Sequence, residues 1–523
     1  MVDDRELARR IEAIVARLDR PGMPGAAVGV VRSGKTIHRG GFGLASVELG
    51  VPISPQTVFS IASVTKQFTC AIALMMAQDG RLDLDADIRR VLPDLPDVGA
   101  TVSAQHLMRN TAGVRDLLEL LRLGGADLSH PISRTGMLGL IRRQRALNFA
   151  PGSRFLYSNS NFALLQEMAE RVSGRPLREL LAERIFAPLG MERARLREAP
   201  DEVIPGFATG YLLRDGALFQ AADRKHGGGE GGIRASLDDL LRWAANFDAA
   251  RVGGADLLRA LATPVPYANG RPARYACGLQ QLPWRGVETV GHGGLLPGFL
   301  TEFLRVPSLG LTVIVMANSD RFSPFVVARE IVDAALDVPH ARGRPDPVAF
   351  APAVGLYFAA AAPASFEIAI ADEQPVVSAN GVPFRLIARD DGRYEALRGG
   401  FEFVLSIGDD VMAVEDGAGH RLDYRRIAGG GALPAGLDGA WHSDEVGATW
   451  AISGDRLTVN GPFVNGTEWR VLPLDGECAR VDMAQSWYRN SLDVRLDRGA
   501  GGRPAALLVQ GARCRNLRFA RVG

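Results

Sequence analysis

The chain of 523 residues is poor in cysteine: Cys70, Cys277, Cys478 and Cys514 lie far apart, and no two stand in a CxxC spacing. That argues against a zinc module or a redox motif and for reduced thiols over a disulfide framework. His442, Asp444 and Glu445 fit no metal-ligand spacing, and a solvated strand end explains them better. Charge of one sign is also missing, because 60 basic residues against 59 acidic leave a net charge of +1. Neither nucleic acid nor an anionic membrane surface is expected as a partner. No apolar run approaches the ~20 residues that a bilayer-spanning helix needs. Met1 to Ile11 is charged and amphipathic, with no apolar h-region and no small-residue cleavage site. A secretory leader is therefore not expected, and the expected compartment is the cytoplasm.

What the chain does contain is an ordinary globular composition, 47% hydrophobic and 23% charged, in a length that suggests two to four domains. Residues 1–338 mix helical and strand patterns. Strands are expected at Ala26 to Val31, Thr36 to Gly41, Phe299 to Val306 and Leu311 to Ala317, with helices clustered between Val64 and Ala250. Leu7, Ile11, Ile14, Val15 and Leu18 recur at helical spacing, and a last helix is expected over Pro324 to Leu336. One sheet closed by the two end helices, with the middle helices as a second subdomain, would leave a cleft between them.

A linker with three prolines, Asp337 to Pro347, ends this part. Beyond it, short alternating runs separated by Asn-Gly and Asp-Gly turns read as antiparallel β. Gly429 to Pro434 breaks the pattern, which then starts again. Gly355-Leu356-Tyr357 and Gly439-Ala440-Trp441 occupy matching starts. The expectation is two small barrels of roughly eight strands each, over residues 348–429 and 434–523.

Three local patterns carry chemistry. Ser63-Val64-Thr65-Lys66 sets a serine and a lysine three apart, on one face of a helix. A serine hydroxyl becomes a useful nucleophile when a neighbouring base takes its proton, and burial can lower a lysine pKa enough for that task. The apolar flanks, Val58-Phe59 and Phe68 to Met76, bury the start of that helix, where a lysine is costly without a purpose. The second pattern is Tyr157-Ser158-Asn159, after a Pro151-Gly152 turn and before a helical run from Phe162. The third is Gly291-His292-Gly293-Gly294, before the strand at Phe299, where glycines let backbone pass close to a substrate. Gly227 to Gly232 lacks the strand and the G-K-[ST] of a phosphate loop and reads as a mobile edge of the active site.

In this order the patterns S-x-x-K, Y-x-N and H-x-G resemble the penicillin-recognising serine hydrolases: class C β-lactamases, D,D-peptidases and related esterases. The resemblance covers about residues 5 to 335. It implies an α/β catalytic domain of β-lactamase and penicillin-binding type, an antiparallel sheet plus a helical subdomain, followed here by two all-β barrel domains. Histidine in place of the K-T-G lysine, Gly439 to Ala448 and the three-domain layout are similar to the D-aminopeptidase branch. Carried over by motif, the resemblance makes Ser63, Lys66, Tyr157 and His292 catalytic, with Asn159, Gly293, Gly294 and Gln280 binding substrate. It also implies a loop from the last domain, about Met483 to Ser491, that reaches the cleft with Trp487 and Tyr488. No metal and no organic cofactor is implied, and a homodimer is. The expected reaction is release of a small N-terminal D-residue (D-Ala or D-Ser) or Gly from a peptide, amide or ester through an acyl-enzyme. Two departures bear on substrate choice: Leu295 to Leu300 carries no charge, and the last-domain loop is short and aromatic. They keep open an esterase or β-lactam hydrolase with the same nucleophile. A non-catalytic binding protein that has kept the fold is the alternative of another class, against which the intact Ser63, Lys66 and Tyr157 set argues.

Overall fold

The computed structural model describes residues 2–339, 345–359, 365–371, 373–389, 391–398, 401–408, 410–428, 430–483 and 490–523. Helix α1 (Asp4–Leu18) starts at Asp3, whose side chain accepts from the Glu6 N–H, and buries Leu7, Ile11 and Ile14. The i, i+4, i+7 spacing of these three gives the helix one apolar stripe. That stripe lies on a six-stranded antiparallel sheet of β1 (Ala26–Arg32), β2 (Lys35–Phe42), β3 (Gln280–Trp284), β4 (Val287–Leu296), β5 (Phe299–Val306) and β6 (Leu311–Ala317). The spatial order is β3-β4-β5-β6-β1-β2. β1 and β6 are buried almost throughout, as strands covered on both faces must be. The last helix of this domain, which spans Pro324–Leu336, packs beside α1 on the same face. The four strands and two end helices therefore stand where the periodicity put them, with β3 and β4 added at the edge.

The other face of the sheet meets the helical subdomain. At its centre is α2 (Thr65–Gln78), buried on nearly every side. Nearby stand α3 (Leu117–Leu123) and α4 (Asn159–Ser173). The α3 sequence LLELLRL is apolar around most of its circumference, so one covered face is not enough for it. Its second cover is the third domain: Trp450 is fully buried and its indole N–H donates to the Leu123 carbonyl at 2.9 Å.

Eight strands from Gly355–Phe358 to Arg421–Ile427 close into one barrel, and eight from Gly439–Ser443 to Leu517–Arg521 into another. The first barrel keeps a core of its own. The core of the second, with Trp441, Trp450 and Phe519, runs on without a break into that of the helical subdomain. Polar clamps hold this seam. Arg115, 1% exposed, donates to Glu445 at 2.6 Å, to Gln144 at 3.0 Å and to the Arg515 carbonyl at 3.2–3.3 Å. Glu445, which had been read as part of a solvated strand end, is thus a domain clamp. No helix of the described residues is long and apolar enough to cross a membrane.

Removing one member of a buried, hydrogen-bonded ion pair strands the other. Arg115→Met is expected to cost about 3–5 kcal/mol and to lower the first unfolding transition in scanning calorimetry. Adding Glu445→Gln, which removes the stranded charge, should recover part of that loss.

Candidate active site

Ser63 lies in a 3₁₀ turn, Ala62–Val64, that leads directly into α2. The short strand before it, Val58–Ser60, pairs with Ile233–Ser236, and the Ile61 N–H donates to the Ile233 carbonyl at 3.2 Å. Held from both ends, Ala62 adopts φ +47°, a left-handed conformation that a residue with a Cβ seldom takes. Such a conformation costs on the order of 1–3 kcal/mol and persists only where the surroundings impose it. Strand β4 presses against the same turn. A Cβ on Gly294 would stand 2.3 Å from the Ile61 carbonyl oxygen, which is why the third pattern ends in glycine.

Lys66 is fully buried one helical turn on. Its amine reaches Ser63 Oγ at 3.1 Å and Asn159 Oδ1 at 2.9 Å, and it donates to the Glu230 carbonyl as well. The two carbonyl oxygens can only accept, so they take two N–H groups of the amine. In the neutral amine the lone pair is then left for the Ser63 hydroxyl. Burial lowers the Lys66 pKa from the ordinary 10.5 to about 7; the Glu230 and Asp116 carboxylates pull it back up, and Arg513 and Lys225 push it down. The arrangement can take a proton from Ser63 at neutral pH.

One carboxylate organises the approach of α4. Asp116 caps α3 through the Leu118 and Glu119 N–H groups, both at 3.1 Å. Its second oxygen accepts from the Asn159 backbone N–H at 2.6 Å and from the Asn159 side-chain amide at 2.8 Å. That leaves Asn159 Oδ1 aimed at Lys66 and settles the orientation of the amide. Tyr157 lines the same cavity as Ser63, and the Lys66 amine stands 5.0 Å from the centre of its ring. Burial pushes the Tyr157 phenol well above its ordinary pKa, so it keeps its proton at neutral pH.

His292 lines the same cavity, with its ring 5.8 Å from that of Tyr157. Both its nitrogens are engaged elsewhere. Nδ1 faces the Gly293 carbonyl at 2.6 Å and must donate there, so Nε2 accepts from the Tyr275 hydroxyl at 3.1 Å. Burial and the neighbouring Lys66 charge lower its pKa to about 3. The imidazole is a neutral wall for Tyr157, and its protein partners leave no nitrogen for a proton relay.

The cavity measures about 590 Å³ and has walls from all three domains. Gly293, Gly294 and Asn159 line it as expected, whereas Gln280 stands one strand away, opposite Gly291, outside the lining residues. Trp487 and Tyr488 lie outside the described residues. Asn490, at the end of the expected loop, does line the cavity. The third domain also reaches it from elsewhere, through the turn 511–516, which contributes Ala512 and Arg513. The glycine run 227–232 is at the site too, but as a buried wall. A Cβ on Gly228 would meet Glu230 and Gln166 oxygens at 2.5–2.6 Å, and Glu230 pairs with buried Lys225 at 3.0 Å. Asp116, Glu230, Tyr275 and Arg513 were missed by the sequence reading, since none sits in a pattern that marks it. Among the described residues, no group of three or more His, Cys, Asp or Glu is placed to hold a metal.

A D-aminopeptidase of Gluconobacter oxydans (strain 621H) is 36% identical over 334 residues, 63% of this chain and 62% of that protein. A D-aminopeptidase of Brucella canis is 35% identical over 322 residues, 61% of each. The match thus spans less than two thirds of the length of these relatives. Among solved structures, the octameric penicillin-binding protein homologue from Pyrococcus abyssi superposes with a TM-score of 0.59 at 21% identity, over 88% of this chain and 98% of that one. The D-amino acid amidase from Ochrobactrum anthropi SV3 gives 0.53 at 21% identity, over 63% and 99%. At that identity the two show a shared fold. The Beta-lactamase family model matches residues 8–337, well over half of the sequence and nearly all of the domain that carries Ser63, Lys66 and Tyr157, and the chain belongs to that family.

Proposed function

We propose that this chain is a serine hydrolase that releases a small N-terminal D-residue (D-Ala, D-Ser) or Gly from cytosolic peptides, amides or esters. The observation that carries the reading is the Lys66 amine, whose two carbonyl acceptors leave its lone pair to Ser63. The 35–36% identical D-aminopeptidases support the choice of substrate. Ser63 Oγ attacks the acyl carbon while Lys66 takes its proton. Backbone N–H groups of Ser63 and of β4 after His292 hold the oxyanion, a large electrostatic contribution in such sites. Tyr157, protonated at neutral pH, gives its proton to the leaving amine and regains one from Lys66. Water then cleaves the acyl-enzyme by the same groups in reverse. In this reading the substrate ammonium meets Glu119, a carboxylate among the residues that line the cavity. Burial, then the neighbouring Asp116, raises the Glu119 pKa to about 7, and a bound cation would favour its ionised form. The homodimer belongs to the same reading and is tested by sedimentation.

A second reading, an esterase, draws on the uncharged wall of Leu295, Leu296 and Leu300. A panel of D-Ala-, L-Ala- and N-acetyl-D-Ala-p-nitroanilide, p-nitrophenyl butyrate and nitrocefin separates the two. The D-Ala anilide should give the highest kcat/KM, and Glu119→Gln should cut it about tenfold or more without affecting the N-acetyl analogue. Ester or nitrocefin turnover with the D-Ala anilide at background would reject the aminopeptidase reading.

Lys66→Ala and Tyr157→Phe should each lower kcat by several orders of magnitude, and the double variant should be scarcely worse than either, as for groups that act as a unit. Ser63→Ala should abolish turnover with an unchanged far-UV CD spectrum. Additive losses would show that the two groups act in separate steps.

The acid limb of kcat/KM should fall near pH 7, where Lys66 gains its proton, and not near the ordinary lysine value of 10.5. The sign for stability follows from the same shift. The unfolded chain binds the Lys66 proton up to its ordinary value and the folded chain only to about 7. This group therefore makes stability rise with pH across that window, and the burden of a buried charge is fully present below it. Rate profiles and thermal melts from pH 5 to 10 check both.

A further inference from the structure

The turn 511–516 joins the last two strands of the third domain, Pro504–Gln510 and Leu517–Arg521. It is bolted to the catalytic domain by its backbone. The Arg513 N–H donates to Glu119, the Arg513 carbonyl accepts from the Asn148 side chain at 2.9 Å, and the Arg515 N–H donates to Asn148 at 2.7 Å. The Asp116 N–H reaches the Arg513 carbonyl at 3.3 Å. None of these bonds uses the Arg513 side chain, which enters the cavity that Ser63 lines. Its guanidinium stands 4.8 Å from the centre of the Tyr157 ring and 3.9 Å from Asp116 Oδ1.

We propose that Arg513 is a positioning residue for the Ser63 and Lys66 pair, a charge supplied by the third domain that faces Tyr157 and balances Asp116 behind Asn159. The proposal rests on the reading of Lys66 as the base. The groups that face Lys66 can be named element by element. The cap of α3 brings Asp116, the glycine wall brings Glu230 and Lys225, and β4 brings the neutral His292. The start of α4 brings Asn159 and Tyr157, both uncharged, and the third domain brings Arg513. Two carboxylates favour a charged lysine. Lys225 stands against Glu230 at 3.0 Å, and Arg513 stands against Asp116. The Arg513 charge pushes the pKa of Lys66 down, and that of Tyr157 with it. Without it Asp116 faces the amine with less compensation, and Lys66 holds its proton to higher pH. The lone pair that Ser63 needs is then present in fewer molecules at pH 7.

The test is the second-order rate at which a fluorophosphonate probe labels Ser63, followed from pH 5 to 10 in the full-length wild type, R513M and R513K. The probe carries no amino acid, so the result does not depend on whether D-Ala is the substrate. R513M keeps the length of the side chain and its backbone bonds but removes the charge. Its acid limb should move up by at least about half a pH unit, with an unchanged limit at high pH. R513K should stay near wild type. If R513M does not fold, R513Q, shorter and uncharged, is read in the same way. A limb that does not move in the uncharged variant, whatever happens to the overall rate, would leave Arg513 a structural contact only and overturn the proposal. A wild-type profile without an acid limb near pH 7 would overturn both the proposal and the base assignment. Failure of the D-substrate reading alone would appear only in the anilide panel.

Discussion

The catalytic domain is arranged around one amine that has to be dry. In the proposed reaction Lys66 serves Ser63 only while uncharged, and a long flexible side chain is uncharged at neutral pH only when water is excluded from it. That requirement explains why α2 is buried on nearly every side, although it is only 14 residues long and carries no charge except Lys66. It explains the partners as well. A buried amine that could rotate would not present its lone pair to one hydroxyl, so two fixed acceptors from distant segments, Asn159 and Glu230, take its hydrogens. Each acceptor is itself held. Asn159 is gripped twice by Asp116, and the Glu230 side chain is tied to Lys225.

The same exclusion of water shapes the way the domains meet. The third domain is not tethered to the catalytic domain as an independent module. It covers the second apolar face of α3 with Trp450, continues the core of the helical subdomain and sends a turn past Glu119 to the cavity. The second domain keeps its own core and adds apolar residues, including Val382, Pro383 and Phe384, to the cavity wall. The cavity is therefore walled by charged, polar and apolar residues from parts of the chain that are hundreds of residues apart.

Much of this was legible in the chain. The i, i+3 spacing of Ser63 and Lys66, the turn before Tyr157 and the glycines after His292 are local patterns; α2 and α4 form beside the first two, whereas the strand that carries His292 was not among those expected. The two runs of alternating residues closed into barrels of eight strands each. What failed did so for identifiable reasons. A glycine run looked like a mobile edge because composition alone does not distinguish glycines that flex from glycines that let Glu230 and Gln166 approach. His292 stands beside Tyr157, but nothing nearby in sequence announces that Tyr275 and the Gly293 carbonyl occupy its nitrogens. Gln280 was carried over from the family resemblance, and in the sheet it stands opposite Gly291, outside the residues that line the cavity.

The sequence by itself determined which residue types could do the chemistry and which helices would stand beside Ser63, Lys66 and Tyr157, because periods of 3.6 and 2 are properties of neighbouring residues. Only the tertiary structure decided whether those residues could act. Asp116 meets Asn159 across 43 positions, Glu230 meets Lys66 across 164, and the Arg513 N–H meets Glu119 across 394. The ionisation of Lys66 depends on how deeply it is buried and on which charges arrive from those distances. Burial and electrostatic potential are sums over everything packed nearby, and no local pattern contains them.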